Sequence, residues 1–204
     1  GENGTMKITD EEKDTYYKDN YVAYQFIMLD MNKDITKDED GNRVQKTETD
    51  DDGNETPIEE YEYTELTDEQ KEEKKTLVET IKKALADGKD FAELVEEYSD
   101  SFDSHKYSTA YIVSASGTFL NATVQDKIKD FEVGDYTEEG ISYSNDNYVY
   151  FVKRVELPEK AFSSEDYEDF FTSFDDNMEN ERYNDICEEY IDKIVVNEKV
   201  TSKY

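Results

Sequence analysis

The chain has 204 residues and carries 54 acidic against 23 basic side chains, a net charge of -31. A surface that acidic repels phosphate backbones and anionic headgroups, which argues against nucleic acid and membrane surfaces as partners; it suits basic or cationic clients or simply keeps the chain soluble, and the second reading is favoured. No segment is apolar enough for direct membrane insertion, and the length suits one domain of about 100–150 residues with appendages.

Residues 1–20 predict an opening helix, with Thr9 or Asp10 as cap ahead of acidic residues that suit a helix N-terminus. Residues 21–30 alternate as a strand does. Within 31–66, Asp40-Gly41-Asn42 and Asp52-Gly53-Asn54 are turn signals, and Arg43 to Thr47 between them is strand-like, so a small acidic hairpin excursion is expected. Thr67 and Gln70 form a capping box, and Leu77, Val78, Ile81 and Leu85 make the core stripe of the helix it opens. Gly88 suits a left-handed helix stop and Asp90 the next cap, before the stripe Phe91, Leu94, Val95, Tyr98.

From residue 158 to 204 the pattern is an amphipathic helical arm. Ser163 or Ser164 caps it; Tyr167, Phe170, Phe171, Phe174 and Met178 line one side, and Tyr183, Ile186, Cys187, Tyr190, Ile191 and Ile194 continue the stripe. A break is expected near Asp176-Asn177, an extended turn at Ile194-Val195-Val196, and a core position for the lone Cys187. The arm's apolar side needs a cover: the opening helix, another copy of the chain (a homodimer through the arm), or helices that precede Gly1.

The run Gly88-Lys89-Asp90-Phe91-Ala92-Glu93-Leu94-Val95-Glu96-Glu97-Tyr98-Ser99-Asp100 resembles the "G-x-D-F-x-x-L-A-x-x-Y-S-D" segment of parvulin-type peptidyl-prolyl isomerases. Val22 to Leu29 is similar to their first strand, "V-x-A-S-H-I-L-V", and Thr67 to Asp87 to their long first helix. Val124 to Asp135 is similar to "F-x-x-A-x-x-L-x-x-G-E", and Asn147 to Val155 to the closing "G-Y-H-I-I-K-V". Tyr16-Tyr17 before this region and Leu157-Pro158-Glu159 after it look like the extracytoplasmic PrsA- and SurA-type foldases. The resemblance implies an α+β fold: a parvulin-like four-stranded antiparallel sheet with surrounding helices over residues 21–157, interrupted by the 31–66 insertion, plus flanking helical segments. It implies unfolded or proline-containing polypeptide as client, no cofactor, and an extracytoplasmic location, lipid-anchored in the full-length protein. The start at Gly1 rather than Met suits a cloning remnant or a processed end, either of which is compatible with a secretion signal removed ahead of it.

Parvulins twist an X-Pro amide in a small apolar pocket beside a hydrogen-bonded polar cluster with two histidines, and need no covalent intermediate. In the resemblance, Gln25 and Val149 stand where those histidines are expected, Ser101 where Cys or Asp is common, with Asp103 close by, and Val124 in place of a phenylalanine. Phe119 and Leu120 complete the implied peptide-binding set of Gln25, Ser101, Asp103, Phe119, Leu120, Val124 and Val149. None of them is expected to transfer a proton, so no catalytic residue is assigned. Isomerase activity is expected to be weak or lost, with peptide binding without turnover favoured over slow isomerisation. The only histidine, His105, is expected to be solvated in a polar loop.

A different class of function is a calcium-binding or adhesive scaffold. Glu48-x-Asp50-x-Asp52-Gly53 followed by Glu59 has calcium-loop spacing, but Pro57 lies within it and its flanks read as strand, so an ion-free turn is favoured. The sequence has no Gly-rich phosphate loop, Ser-His-Asp order or Cys/His metal cluster, which argues against a hydrolase or nucleotide enzyme.

Overall fold

The computed structural model describes the backbone of residues 8–201 and the side chains of residues 8–191. In chain order the elements are α1 (Asp10–Asn20), β1 (Tyr21–Asp30), β2 (Lys33–Ile35), β3 (Gln45–Thr49), β4 (Glu55–Tyr61), β5 (Tyr63–Glu65), α2 (Asp68–Ala86) and α3 (Phe91–Tyr98). There follow α4 (Phe102–Lys106), β6 (Tyr111–Ser114), α5 (Ala122–Ile128), β7 (Ile141–Tyr143), β8 (Tyr148–Val155), two short 3-10 turns (Ala161–Ser163 and Glu165–Phe170) and α6 (Phe174–Thr201). The chain divides into two compact units, one made of its flanks, up to Tyr21 and from Pro158 onward, the other of Val22–Leu157.

The Val22–Leu157 unit is α+β, built on a four-stranded sheet of order β6-β1-β8-β7, as expected. β1 pairs antiparallel with β8, Ile27 facing Phe151 and Leu29 facing Val149, and β7 pairs antiparallel with β8. Both faces of the sheet are covered. On one, Ile27, Leu29, Val149 and Phe151 pack with Ile81, Ala84 and Leu85 of α2 and Phe91, Leu94 and Val95 of α3. On the other, Tyr24, Phe26, Tyr150 and Val152 pack with Phe119 and with Val124 and Ile128 of α5.

Helix ends follow the sequence signals. Thr67 and Gln70 close a reciprocal capping box on α2, Asp90 accepts from the Glu93 N–H at 3.1 Å, and Gly88 takes φ +79° after the last turn of α2.

The 31–66 excursion holds two turns of one design. The carboxylates of Asp38 and Asp50 each accept backbone N–H groups two and four residues on, at 2.8–2.9 Å, and Gly41 and Gly53 sit at φ +85° and +86°. β2 pairs with β5, β3 with β4, and Lys37 bridges Arg43, so the excursion folds back twice where a single hairpin was expected. It is fastened by charge. Lys74 of α2 reaches Asp34 at 3.1 Å and the buried Asp100 at 2.7 Å, and the Tyr63 hydroxyl donates to the Asp100 carbonyl at 2.7 Å.

In the flanking unit, α1 opens on a Thr9–Glu12 capping box, and Tyr17 is buried among Tyr21, Phe162 and Phe171, its hydroxyl donating to the Pro158 carbonyl at 3.0 Å. Lys13 pairs with Asp175 and Arg182 with Glu12. Ser164 caps the second 3-10 turn, accepting from the Asp166 N–H. The arm differs from expectation in three ways. Its break falls at Phe171–Ser173, because Asp175 and Asp176 sit in the first turn of α6, where carboxylates favour a start over a stop. The helical backbone continues through Ile194–Val196. Cys187 is half-buried rather than in a core, because only the upper stripe is covered: Phe174 and Met178 are buried, while Tyr183, Tyr190 and Ile191 are exposed. The side chain of Ile194 lies outside the described residues.

Candidate peptide-binding site

Strand alternation decides which side chains can share a site. Along β1, Tyr24, Phe26 and Met28 point to one face and Gln25, Ile27 and Leu29 to the other; in β8, Tyr148, Tyr150 and Val152 share the first face, Val149 and Phe151 the second. The first face carries a cup of aromatic rings. Phe119 stacks on Tyr24 with centroids 4.7 Å apart and meets Phe26 and Tyr111 edge-on at 5.5 and 5.7 Å. Phe26 and Tyr111 touch at 5.5 Å.

The loop into α5 sets the floor of this cup. Leu120 takes a left-handed φ of 54°, which turns the chain sharply between buried Phe119 and Asn121. Asn121 then caps α5 by accepting from the Val124 N–H at 3.0 Å, and the Gln125 side chain accepts from the Phe119 N–H at 3.0 Å. The Phe119 carbonyl accepts from the Asn121 N–H at 2.6 Å, so both its backbone polar groups are held.

The seven residues singled out from the sequence do not converge. Phe119 and Val124 lie in the cup, fully buried, and Leu120 is exposed beside it. Val149 is on the opposite face, in the core against α2 and α3. Gln25 also points away, its amide donating to the Ser108 carbonyl at 2.8 Å. Ser101 caps α4 by accepting from the Ser104 N–H. Asp103 follows in the first turn of α4; burial raises its carboxyl pKa, Glu59 adds to the shift and Lys106 opposes it. Asp103 also bears on the Tyr111 hydroxyl, which burial and then this carboxylate push up. The residues missed are Phe26 and Tyr150, which occupy the cup face of the two central strands, together with Tyr24 and Tyr111.

His105 is a correction as well. It sits on α4 rather than in a polar loop, with Nε2 3.2 Å from the Val95 carbonyl and Nδ1 3.1 Å from the Tyr61 hydroxyl. A carbonyl only accepts, so Nε2 carries the proton and Nδ1 accepts from Tyr61. Burial lowers its pKa to about 4, assisted by Arg43. Its contacts lie on α3 and the excursion.

The cup can therefore hold apolar groups and offer tyrosine hydroxyls, and no histidine, carboxyl or thiol is among the side chains packed in it. Burial pushes the Tyr150 hydroxyl up to about 12. In the excursion, both Asp50 oxygens already accept from Asp52 and Asn54, and among the described residues no three metal-ligating side chains converge on one point.

No protein-family profile and no curated protein matches the chain. Among solved structures it is similar to a foldase protein PrsA from Streptococcus pneumoniae, at 16% identity and TM-score 0.37 over 88% of this chain and 50% of that one. It is also similar to a peptidylprolyl isomerase (PrsA) from Bacillus cereus, at 17% identity and TM-score 0.37 over 87% of this chain and 49% of that one. The chain spans about half the length of these structures.

Proposed function

We propose that this chain is a foldase-type module whose parvulin-like domain binds extended or unfolded polypeptide without efficient prolyl isomerisation. One observation carries the reading: the side chains that face the cup from the two central strands are Tyr24, Phe26, Met28, Tyr148, Tyr150 and Val152, none of them a histidine. In parvulins two histidines face each other across those strands, beside the pocket for the proline ring. Strand alternation moves that comparison from Gln25 and Val149 to their neighbours Phe26 and Tyr150, which lie diagonally across the ladder, and the conclusion is kept. A buried phenylalanine and a tyrosine that keeps its proton replace the polar cluster, so nothing favours the twisted amide over the planar one.

Binding rests on the partly buried rim. Met28, Tyr111, Val113 and Tyr148 pack against the cup while keeping exposed surface, and Leu120 stands at its edge. Such a patch takes apolar side chains, and the tyrosine hydroxyls can pair with a client's backbone. The same reading places the protein outside the cytoplasm on a lipid anchor, as the foldase resemblance implies, and assigns the exposed Tyr183, Tyr190 and Ile191 face to pairing with a second copy. Titrating 15N-labelled protein with unstructured, proline-containing peptides tests the binding site. Amide shifts clustered at Met28, Tyr111, Val113, Leu120 and Tyr148 are expected; shifts confined to other surfaces would remove the rim from the account.

A further inference from the structure

Among the described residues, Arg154, on β8, is the one arginine of three for which no carboxylate partner is found. Arg43 pairs with Glu96 at 3.4 Å and Arg182 with Glu12 at 3.5 Å. Among the described residues no carboxylate lies within ion-pairing distance of Arg154, in a chain with 54 acidic side chains. Its guanidinium carbon sits 5.3 Å from the centroid of the Tyr24 ring, and Nη1 donates to the Tyr24 hydroxyl at 3.4 Å. Its Nε is buried with no acceptor. A guanidinium presents five N–H donors in its plane, and a cation–π contact engages only its face, so most of this donor fork is unused.

The backbone that carries the fork is also held in place. The Arg154 N–H donates to the Asp135 carbonyl at 2.8 Å, its carbonyl accepts from Gly134 at 2.9 Å, and Tyr24 is its partner across the strand ladder. Tyr24 in turn stacks on Phe119, so a fixed positive charge lies at one end of the aromatic cup. Planar paired donors fit a carboxylate better than they fit any other group of a polypeptide.

We propose that Arg154 and Tyr24 form a carboxylate subsite at the end of the cup, which selects clients with an acidic side chain or a chain terminus beside the apolar residue on the rim. The inference rests on the peptide-binding reading above. The ring-to-ring steps from Tyr24 to Phe119 and on to Tyr111, 4.7 and 5.7 Å, together span at most about three residues of extended chain at about 3.3 Å per residue. The carboxylate therefore belongs within about three positions of the apolar anchor.

Three peptides test this, each with a Phe-Pro anchor: one blocked at both ends with Glu beside the anchor, one blocked with Gln there, and one with Gln and a free C-terminal carboxylate one residue past the anchor. At 0.15 M salt, where screening acts over about 8 Å, the distant carboxylates are muted and the contact is kept. A carboxylate peptide should bind about tenfold more tightly than the blocked Gln peptide. Its binding should move the Arg154 Nε–H resonance, one of three such signals, and Arg154→Gln should erase the preference. The Nε–H readout uses the unaltered protein, so it stands even if that variant folds poorly. A preference for the free terminus alone would identify the chain end as the ligand, and a preference for Glu alone the side chain. Equal binding of all three with the Arg154 signal unmoved would overturn the subsite and leave the peptide-binding reading intact. No binding by any peptide would overturn both.

Discussion

Replacing Lys74 by methionine separates burial from charge at the point where the excursion is fastened. Asp100 is 3% exposed; it accepts from Lys74 at 2.7 Å and from the Asp30 N–H at 2.9 Å. Burial raises its pKa to about 7 even though Lys74 and these hydrogen bonds pull it down. A folded-state pKa above the unfolded value means the native state holds the proton more tightly. The associated stability is fully present below the unfolded pKa, near 4, and is lost as pH rises through about 7. At about 1.4 kcal/mol per pKa unit, three units correspond to about 4 kcal/mol between these limits. Without Lys74 the native carboxyl holds its proton to still higher pH, so the loss continues where the parent has levelled off. The gap between parent and Lys74→Met should be small at pH 5 and open above pH 7. By pH 9 it should reach about 3 kcal/mol, the lower end of the cost of breaking a buried pair. Urea denaturation at pH 5, 7 and 9 measures it, and Asp100→Asn combined with Lys74→Met should remove the pH-dependent part. A gap that is the same at all three pH values would refute the reasoning.

Three further outcomes are expected. Gly140→Ala should destabilise by about 1–3 kcal/mol in thermal melts, because a Cβ there would meet Val149 Cγ1 at 2.5 Å and Phe151 Cζ at 3.2 Å. His105 should titrate by NMR near pH 4 rather than 6.5; its folded pKa is depressed, so it contributes stability above 6.5 that is lost as pH falls toward 4, and His105→Gln should flatten that limb. Millimolar calcium should leave the melting temperature unchanged, since the Asp50 carboxylate is already committed to its turn; a rise of several degrees would restore the calcium reading.

The helix ends were legible because capping is local: Thr9 with Glu12, Thr67 with Gln70, and Asp90 with Glu93 each lie within four residues. The two Asp-Gly-Asn turns were legible for the same reason. Strand facing was not. β1 is buried on both sides, so Phe26, Ile27 and Leu29 are all apolar and the period of two that would separate cup from core disappears. With no alternation to expose it, a one-residue slip put Gln25 and Val149 in place of Phe26 and Tyr150, although the eight-residue first-strand motif laid over Val22 to Leu29 has its histidine at Phe26. Lys74 follows Lys71-Glu72-Glu73 in an acid-rich helix, where lysines normally face water. Only the long-range approach of Asp34 and Asp100 buries it. His105 has the same history, with Val95 and Tyr61 brought to it by tertiary packing. The arm's break was misplaced because Asp176-Asn177 reads equally well as a stop and as the first turn of a new helix.

Exchange spectroscopy on a panel of X-Pro peptides with substoichiometric protein tests the central claim most directly. The account predicts that peptides bind while cis/trans exchange stays at its uncatalysed rate, because Phe26 and Tyr150 give the cup no polar cluster. Clear acceleration of exchange, abolished by filling or emptying the cup at Phe119, would contradict it and make the domain a working isomerase.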